Sequence, residues 1–495
     1  MRHVVVIGGG AAGLGAAYKV TRAAAEGHEV KVTVVEKDPR LGGKILTEQV
    51  DGFTVDGGPD CFITEKPGVH RIAKLLGIFD DELPTDDSRK KTWILSRGRL
   101  YEMPDGIMMF APTKFVPFAT TGLFSWPGKF RMGMDLFIPR KERWAEGETA
   151  AQHDETLESF IVRRMGRECL DRLAEPLVGG VHASDPAVMS LASTFPRLLE
   201  MEQRFGSCIG GFVDARKKVA AMKKKYPPQP GAKPRTFFTS FVGGMQRLTD
   251  SMADAVGREN IRTGAAVESV ERDGSGWKVR LGDGDVIDAD AVIVATEGWA
   301  AEKLLAPVDP EIGEALGGIS HSSSATVSMA FDTDDLGFSL DAFGVLCPQA
   351  EKRRLMAVTY SSTKWPGRAP AGRTLMRGFV GGPGNQAIME NSDETLVEIV
   401  HKEMSDILGM KVDPAWSRVY RWNLGMPQYT LGHLDRVAVI DLRCAETPGL
   451  AVAGGSYTGV GIPNCIESGE RAVTKVLGEF GIDLAEDHVE EKRIY

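Results

Sequence analysis

The sequence has few cysteines, no long hydrophobic run and no excess of positive charge. Of its 495 residues six are cysteines, none in a C-x-x-C pair, so neither a zinc site, nor any other metal site, nor a disulfide framework is predicted. No stretch of about 18 apolar residues occurs, which argues against a membrane-spanning helix. The formal net charge of −9 argues against a nucleic-acid partner. These absences together favour an enzyme or binding protein of a reducing compartment.

The length and composition of the chain indicate a globular protein of several domains. At 495 residues it is too long for one simple core, so two or three domains are expected. Hydrophobic residues make up 42% and charged residues 26%, which is typical of a globular protein rather than a disordered one. No signal peptide precedes the first predicted strand, which begins at His3, and a cytoplasmic location is therefore expected.

An apolar run, a glycine-rich turn and a helix open the chain. Residues 3–7 are mostly β-branched and apolar, which indicates a buried parallel strand. Gly8, Gly10 and Gly13 follow at the spacing G-x-G-x-x-G. Gly8 permits a tight turn, Gly10 lets a pyrophosphate approach the backbone, and Gly13 lets the helix pack on the strand. The helix N-terminus then offers N–H groups to the phosphates.

A second strand over residues 30–35 ends at Glu36. An acid at this distance from the glycines can accept hydrogen bonds from the adenosine ribose, and it disfavours NADP, whose 2′-phosphate it would repel. Strand, glycines, helix, strand and acid in this order predict a dinucleotide-binding domain.

A second glycine pair distinguishes FAD from NAD. Gly42, Gly43 and Lys44 follow Glu36 in an E-x-x-x-x-x-G-G-[RK] run, and Asp56 then begins the sequence D-G-G-P. This part of the chain resembles the superfamily of flavin-containing amine oxidases and protoporphyrinogen oxidases. Many members have arginine where this chain has Lys44, so a bidentate phosphate contact is not expected here.

Three further sequence motifs narrow the resemblance to one family within this superfamily. Residues 58–62 read G-P-D-x-F, residues 176–186 read P-L-x-x-G-x-x-A-x-D-P, and residues 427–433 read P-Q-Y-x-x-G-H. They are similar to the oxygen-dependent protoporphyrinogen/coproporphyrinogen oxidase family, and the amine oxidases lack the second block. The matching blocks lie near the start, the middle and the end, so the resemblance covers nearly the whole chain.

The resemblance implies an α/β fold of several domains. A Rossmann-like FAD-binding domain is expected together with an antiparallel-sheet substrate domain and a helical insertion. The FAD-binding domain is discontinuous, and the boundaries are assigned as follows: residues 1–90, 236–300 and 420–485 for the FAD-binding domain, 91–105 and 301–419 for the substrate-binding domain, and 106–235 for the insertion.

The resemblance also implies a set of residues around a non-covalent FAD. The Val267 position presents its backbone to the adenine, and a helix that begins near residue 463 directs N–H groups at the ribityl and pyrimidine end of the flavin. The candidate cofactor residues are Gly8, Gly10, Ala11, Ala12, Gly13, Glu36, Lys37, Gly42, Gly43, Lys44, Gly57, Gly58, Pro59, Val267, Gly455, Gly461 and Ile462.

The resemblance indicates the substrate-binding residues less directly than the cofactor-binding residues. The family places the Asp60 position near the substrate, and Lys66 is a candidate partner for a substrate carboxylate, although it can equally be a solvated residue before a helix. Relatives have an arginine near Thr92 that binds a propionate; threonine cannot do so, and Lys91 and Arg97 are alternative cations.

Three residues elsewhere complete the substrate candidates. Gly179 lets a backbone approach a flat ligand. Met329 and Met356 are either cavity residues or core residues, because methionine is usually buried.

The activity that the resemblance implies is the oxidation of a porphyrinogen in haem biosynthesis. Protoporphyrinogen IX or coproporphyrinogen III loses six electrons in three two-electron steps, with O2 as acceptor and H2O2 as product. The flavin does the difficult chemistry, and no general base is identified. A flavin-dependent amine oxidase is the alternative, and hand-over of the product to ferrochelatase is a candidate interaction.

Residues 106–139 are rich in phenylalanine, tryptophan and methionine, with Lys114, Lys129 and Arg131 between them. Three interpretations are open: a peripheral contact with the inner face of the cell membrane, in which aromatics enter the interface and cations face the headgroups, the wall of an apolar substrate cavity, or the core of a helical subdomain.

Overall fold

The computed structural model describes residues 1–225 and 236–484, without the side chains of residues 180–182 and 223. The strands are β1 (Arg2–Ile7), β2 (Val30–Val35), β3 (Thr47–Val50), β4 (Phe53–Asp56), β5 (Phe62–Ile63), β6 (Glu82–Pro84), β7 (Lys91–Ser96), β8 (Arg99–Glu102), β9 (Ile107–Met108), β10 (Ala111–Pro112), β11 (Phe238–Phe241), β12 (Ile261–Arg262), β13 (Val267–Asp273), β14 (Gly276–Leu281), β15 (Val286–Ala289), β16 (Ala291–Val294), β17 (His321–Asp332), β18 (Ala342–Leu346), β19 (Leu355–Tyr360), β20 (Arg373–Gly381), β21 (Trp416–Pro427) and β22 (Leu450–Val452).

The helices are α1 (Ala11–Ala25), α2 (Pro67–Leu75), α3 (Phe115–Thr120), α4 (Trp126–Gly133), α5 (Leu157–Met165), α6 (Arg167–Cys169), α7 (Glu175–His182), α8 (Leu191–Thr194), α9 (Pro196–Phe205), α10 (Cys208–Lys225), α11 (Gln246–Val256), α12 (Gly298–Leu305), α13 (Pro310–Gly317), α14 (Ser361–Lys364), α15 (Asp393–Leu408), α16 (His433–Glu446) and α17 (Ile462–Gly478). A π-helical turn, Leu170–Ala174, joins α6 to α7.

The chain forms two compact units. The first contains residues 1–85, 236–321 and 433–484 of the described chain. Its central sheet has the order β12-β2-β1-β16-β22, and every pair in it is parallel. Parallel strands with apolar residues on both faces need helices on both sides. The chain provides them, because Val4 and Val6 pack towards α1 and α17, whereas Val5 and Ile7 pack towards α12, α13 and α16.

The second unit contains residues 86–225 and 322–432 of the described chain. Its large sheet has the order β21-β17-β20-β19-β18-β7-β8. From β17 to β8 the neighbouring strands are antiparallel, except for the parallel pair β18 and β7. Alternate residues of β17, from Ala325 to Phe331, form a core with α15. Residues 106–225 add most of the helices of this unit.

These observations confirm the predicted α/β class, with a Rossmann-like domain and an antiparallel sheet. The domain boundaries assigned from the sequence stay a prediction. No helix within the described ranges is both long enough and apolar enough to cross a bilayer.

Candidate dinucleotide site

The turn between β1 and α1 can be built only with glycine at its first and last fixed positions. Gly8 has a φ of +109°, which side chains strongly disfavour. A Cβ on Gly13 would lie 1.9 Å from the carbonyl oxygen of Gly8. These two glycines therefore allow the turn to close and α1 to approach β1, as predicted.

Gly10 differs from its neighbours, because the space beside it is open. Apart from its chain neighbours, a Cβ on Gly10 would meet only the Cα of Gly43 among the described residues, at 3.9 Å. Gly10 is also the N-cap of α1, and no side chain of the described chain caps this helix. Open space beside uncapped N–H groups fits a pyrophosphate. Ala11 and Ala12 form the first turn of the same helix.

Glu36 is buried at the end of β2, with only 8% of its surface exposed. One carboxylate oxygen accepts the N–H of Gly9 at 2.7 Å, and the other accepts the N–H of Asp38 at 2.9 Å. Each oxygen keeps a lone pair for a ribose hydroxyl. The carbonyl of Glu36 accepts the N–H of Ala265 at 2.9 Å, which brings the residues before Val267 to this end of β2.

The loop after Glu36 is held by an arginine that the sequence analysis missed. Arg40 donates to the carbonyls of Leu41 at 3.1 Å and Ile45 at 3.2 Å, and also to that of Gly43. The loop pairs with the turn between β1 and α1 through a parallel bridge between Gly42 and Gly10. The signal available was a cation two residues before the glycine pair.

The two lysines of this loop have protein partners. Lys37 lies over the ring of Trp299, with Nζ 5.9 Å from the centroid. Nζ of Lys44 lies 3.5 Å from a carboxylate oxygen of Glu297. Lys44 therefore forms an ion pair at the position where relatives have arginine.

The next turn, which contains Gly57, Gly58 and Pro59, is held at its start by two hydrogen bonds. The N–H of Gly57 donates to the carbonyl of Leu46 at 2.9 Å. Just before it, Asp56 accepts the N–H of Met245 at 3.0 Å. Asp60 follows the turn and is buried.

A second uncapped helix begins close to α1. Gly461 is the N-cap of α17, Ile462 is its first residue, and no side chain in the described part of the chain caps it. The two helices cross closely, since a Cβ on Gly469 would lie 2.0 Å from the carbonyl oxygen of Ala12, and one on Gly15 would lie 3.2 Å from Ile466. At about 1.5 Å per residue, both N-termini lie within roughly 10 Å of this crossing.

Side chains from distant parts of the sequence meet at the start of α17. Nζ of Lys66 donates to the amide oxygen of Asn464 at 2.5 Å. A Cβ on Gly455 would lie 3.4 Å from Sγ of Cys465. Burial raises the pKa of the Cys465 thiol, so this cysteine stays protonated at neutral pH, which fits a non-covalent flavin.

The remaining substrate candidates belong to the second unit. Met329 is fully buried, on the same face of β17 as Val327 and Phe331, in the core against α15. A Cβ on Gly382 would lie 3.0 Å from Sδ of Met356 and 3.8 Å from Ala183.

Gly179 lies in α7, one helical turn before Ala183. The N–H of Ala183 donates to its carbonyl at 3.1 Å, so both candidates adjoin the same helix end. The alternative cations for a propionate have acidic partners: Lys91 binds Asp341 at 2.7 Å and Arg97 binds Glu168 at 3.1 Å.

The aromatic segment carries an exposed surface without charge, here called the aromatic patch. Its exposed residues are Phe115, Val116, Thr120, Gly122, Ser125, Trp126, Pro127, Phe130, Leu136, Phe137 and Pro139. In the membrane interpretation Lys114, Lys129 and Arg131 face the headgroups. Lys129 and Arg131 instead face inward, whereas Lys114 is partly exposed and pairs with Asp105. Lys129 is buried and donates to the carbonyl of Ala119 at 2.7 Å, and Arg131 donates to three carbonyls at the end of α5. Both cations therefore donate to backbone carbonyls of the protein.

Comparison with known proteins agrees with this geometry. The model of a family described as flavin containing amine oxidoreductase matches residues 11–477. A coproporphyrinogen III oxidase of Bacillus subtilis (strain 168) is 33% identical over 96% of this chain and 98% of its own length. One of Propionibacterium freudenreichii is 34% identical over 96% of this chain and 90% of its own length.

A crystal structure of a protein from Exiguobacterium sp. 255-15, assigned to the protoporphyrinogen oxidases, superposes with a TM-score of 0.82. It is 28% identical and covers 97% of this chain and 99% of its own. The uncapped turn at Gly10 and the buried Glu36 fit a dinucleotide, and the family match spans most of the chain. The chain belongs to the flavin containing amine oxidoreductase family, and its cofactor is FAD.

Proposed function

We propose that this protein is an FAD-dependent porphyrinogen oxidase of haem biosynthesis. The observation that carries the proposal is the match, over 96% of this chain, to relatives named coproporphyrinogen III oxidase at 33% and 34% identity. The three sequence blocks similar to the porphyrinogen oxidases support it, since the P-L-x-x-G-x-x-A-x-D-P block distinguishes them from amine oxidases.

The protein contributes binding and positioning. When bound, FAD supplies the two-electron acceptor for each of three oxidations of the porphyrinogen and passes the electrons to O2, which gives H2O2. Gly10 gives the pyrophosphate access to the N–H groups of α1, and Glu36 orients the adenosine ribose. The start of α17 provides a second set of N–H groups for the flavin half of the cofactor. No general base is assigned.

Coproporphyrinogen III is the substrate we favour. Relatives of 30% identity or more carry that name, whereas an Arabidopsis thaliana relative named protoporphyrinogen oxidase 2 is 27% identical. Thr92, in place of the propionate-binding arginine of other branches, supports the same choice.

Parallel turnover assays test the proposal. The purified protein, with its FAD, is given coproporphyrinogen III, protoporphyrinogen IX and, as a control, putrescine, and porphyrin fluorescence and H2O2 are measured. We expect faster formation of coproporphyrin. Turnover of the amine alone would replace the proposal with an amine oxidase, and faster formation of protoporphyrin would reverse the choice of substrate.

We also propose a peripheral contact with a membrane through the aromatic patch. Phe115, Trp126, Phe130 and Phe137 are 72–82% exposed, and exposed aromatic clusters of this kind mark interaction surfaces. The patch has no outward cation of its own, so binding would depend on apolar insertion more than on attraction to anionic lipid. Hand-over of the porphyrin to ferrochelatase, which the resemblance implies, stays a proposal.

A further inference from the structure

The ammonium group of Lys66 is fixed in place without being neutralised by the partner that fixes it. Lys66 is the N-cap of α2, and its Nζ donates to the amide oxygen of Asn464, the third residue of α17, at 2.5 Å. A carboxamide is uncharged, so this bond sets the position of the cation and leaves its charge intact. The alternative for Lys66 is a solvated lysine at a helix start, and such a side chain would not be held by a hydrogen bond to another side chain.

The other charged groups near the start of α17 have different roles. Lys44 is paired with Glu297. Glu467 lies against the first turn of α2, where a Cβ on Gly68 would be 2.9 Å from its carboxylate. Asn464, which binds Nζ of Lys66, is the third residue of α17, so the charge of Lys66 lies at the first turn of this helix.

The first turn of α17 is open to a ligand that carries negative charge. No side chain in the described ranges caps it, and Gly461 is exposed. The pyrophosphate is accounted for by the turn at Gly10, so the flavin half of FAD is the part that the second helix start can serve. A reduced flavin ring carries negative charge when its N1 is deprotonated, and a helix N-terminus with a nearby cation stabilises such a charge.

We propose that Lys66, positioned by Asn464, is an electrostatic residue of the flavin site, where its charge stabilises the reduced ring and raises the reduction potential. This role differs from binding a substrate carboxylate. The proposed role of Lys66 depends on the FAD that the family carries and not on the porphyrinogen oxidase activity. An experiment can therefore refute the role of Lys66 and leave the proposed activity intact, or the reverse.

Sulfite is the probe for this role, because it adds to oxidised flavin and leaves the ring negatively charged. It is titrated into the holoenzymes of the wild type, Lys66→Met and Lys66→Arg, and the flavin potential is measured in parallel. For Lys66→Met we expect sulfite binding about five- to tenfold weaker and a more negative potential. Lys66→Arg keeps the charge and should stay within about twofold of the wild type. Lys31→Met, at an exposed position on β2, is the matched control, and FAD content is measured for each variant.

A double-mutant cycle tests the part of Asn464. If Asn464 acts by holding Lys66, then Asn464→Ala weakens sulfite binding in the wild type but has little further effect in the Lys66→Met background. Equal effects in both backgrounds would show that Asn464 acts independently. Unchanged sulfite binding and potential in Lys66→Met, together with a raised KM for the porphyrinogen, would overturn the proposal and return Lys66 to the substrate site.

Discussion

Glu36 accepts the backbone N–H of Gly9 at 2.7 Å, so the acid expected to bind the ribose also holds the glycine turn in place. Both of its oxygens are used, since the second accepts the N–H of Asp38. The carboxylate therefore links the glycine turn to the loop after β2, and we expect a change at this residue to disturb both.

Glu36→Gln should weaken FAD binding. A glutamine amide has only one oxygen, so its NH2 group must face either the N–H of Gly9 or that of Asp38. The loss of a charge-assisted hydrogen bond predicts affinity about 10- to 150-fold lower. Titration of the apoprotein with FAD measures it, with Glu26→Gln, exposed just beyond α1, as the control. Equal affinity for the two variants would contradict the role of Glu36.

Gly10→Val should abolish FAD binding without unfolding the protein. Gly10 has a φ of −78° and a ψ of −175°, which valine adopts readily, and its side chain would fill the space assigned to the pyrophosphate. Gly13→Ala should instead destabilise the fold, because its Cβ has no room. FAD content and melting temperature separate the two effects, with Gly478→Val at the open end of α17 as control. A folded Gly10→Val protein with stoichiometric FAD would remove the assignment of this turn.

The sequence predicted the parts of the site that depend on local pattern. The roles of Gly8 and Gly13 follow from spacing alone, because a tight turn and a close helix leave no other residue type. The start of α17 near residue 463 was likewise predicted from the glycines that precede it, although its N-cap is Gly461 and not Asn464.

Partners far apart in the sequence could not be predicted in this way. The contact of Lys66 with Asn464 spans the chain, and nothing in either local sequence specifies it. The inward direction of Lys129 and Arg131 depends on which backbone carbonyls the fold leaves unpaired nearby. Arg40 was missed for a different reason: its partners are close in sequence, but they are backbone carbonyls, and only the conformation of the folded loop turns them towards the guanidinium.

The stability of the second unit should depend on pH through His153. Its ring lies between the carboxylates of Glu142 and Glu148, at 2.8 and 2.9 Å. Partial burial lowers its pKa, but the two carboxylates outweigh this and raise the pKa above the ordinary 6.5. A raised pKa in the folded state means that the stabilisation is complete below pH 6.5 and is lost as the pH rises through the folded value.

Thermal unfolding of the wild type and His153→Gln between acidic and alkaline pH checks this. At low pH the wild type should have a higher melting temperature than His153→Gln, and this difference between the two proteins should disappear as the pH rises. A difference that grows with pH would show that the sign of the effect is wrong.

Arg164 should be among the most sensitive positions of the second unit. It is fully buried and donates to Asp135 at 2.6 Å and to Glu202 at 3.2 Å. Arg164→Met leaves both acids buried without this partner, which predicts a loss of about 3–5 kcal/mol in the free energy of unfolding. Urea unfolding measures it, and exposed Arg204→Met in α9 should change stability by at most about 0.5 kcal/mol. Similar values for the two variants would show that the network stabilises little.

The hydrogen bonds of Arg164 also support the backbone at the end of the aromatic patch. Arg164 also donates to the carbonyl of Ile138 at 3.0 Å, next to the exposed Phe137, so the patch is presented on a fixed backbone. Liposome flotation should therefore recover the wild type with vesicles, with little dependence on salt because Lys129 and Arg131 are turned inward and Lys114 is paired with Asp105. Phe130→Ser with Phe137→Ser should reduce recovery and leave the melting temperature unchanged, since both side chains are exposed. Phe237→Ser removes an exposed aromatic outside the patch and should float like the wild type. Full recovery of the wild type in the soluble fraction would exclude a lipid surface and leave the patch as a contact for another protein.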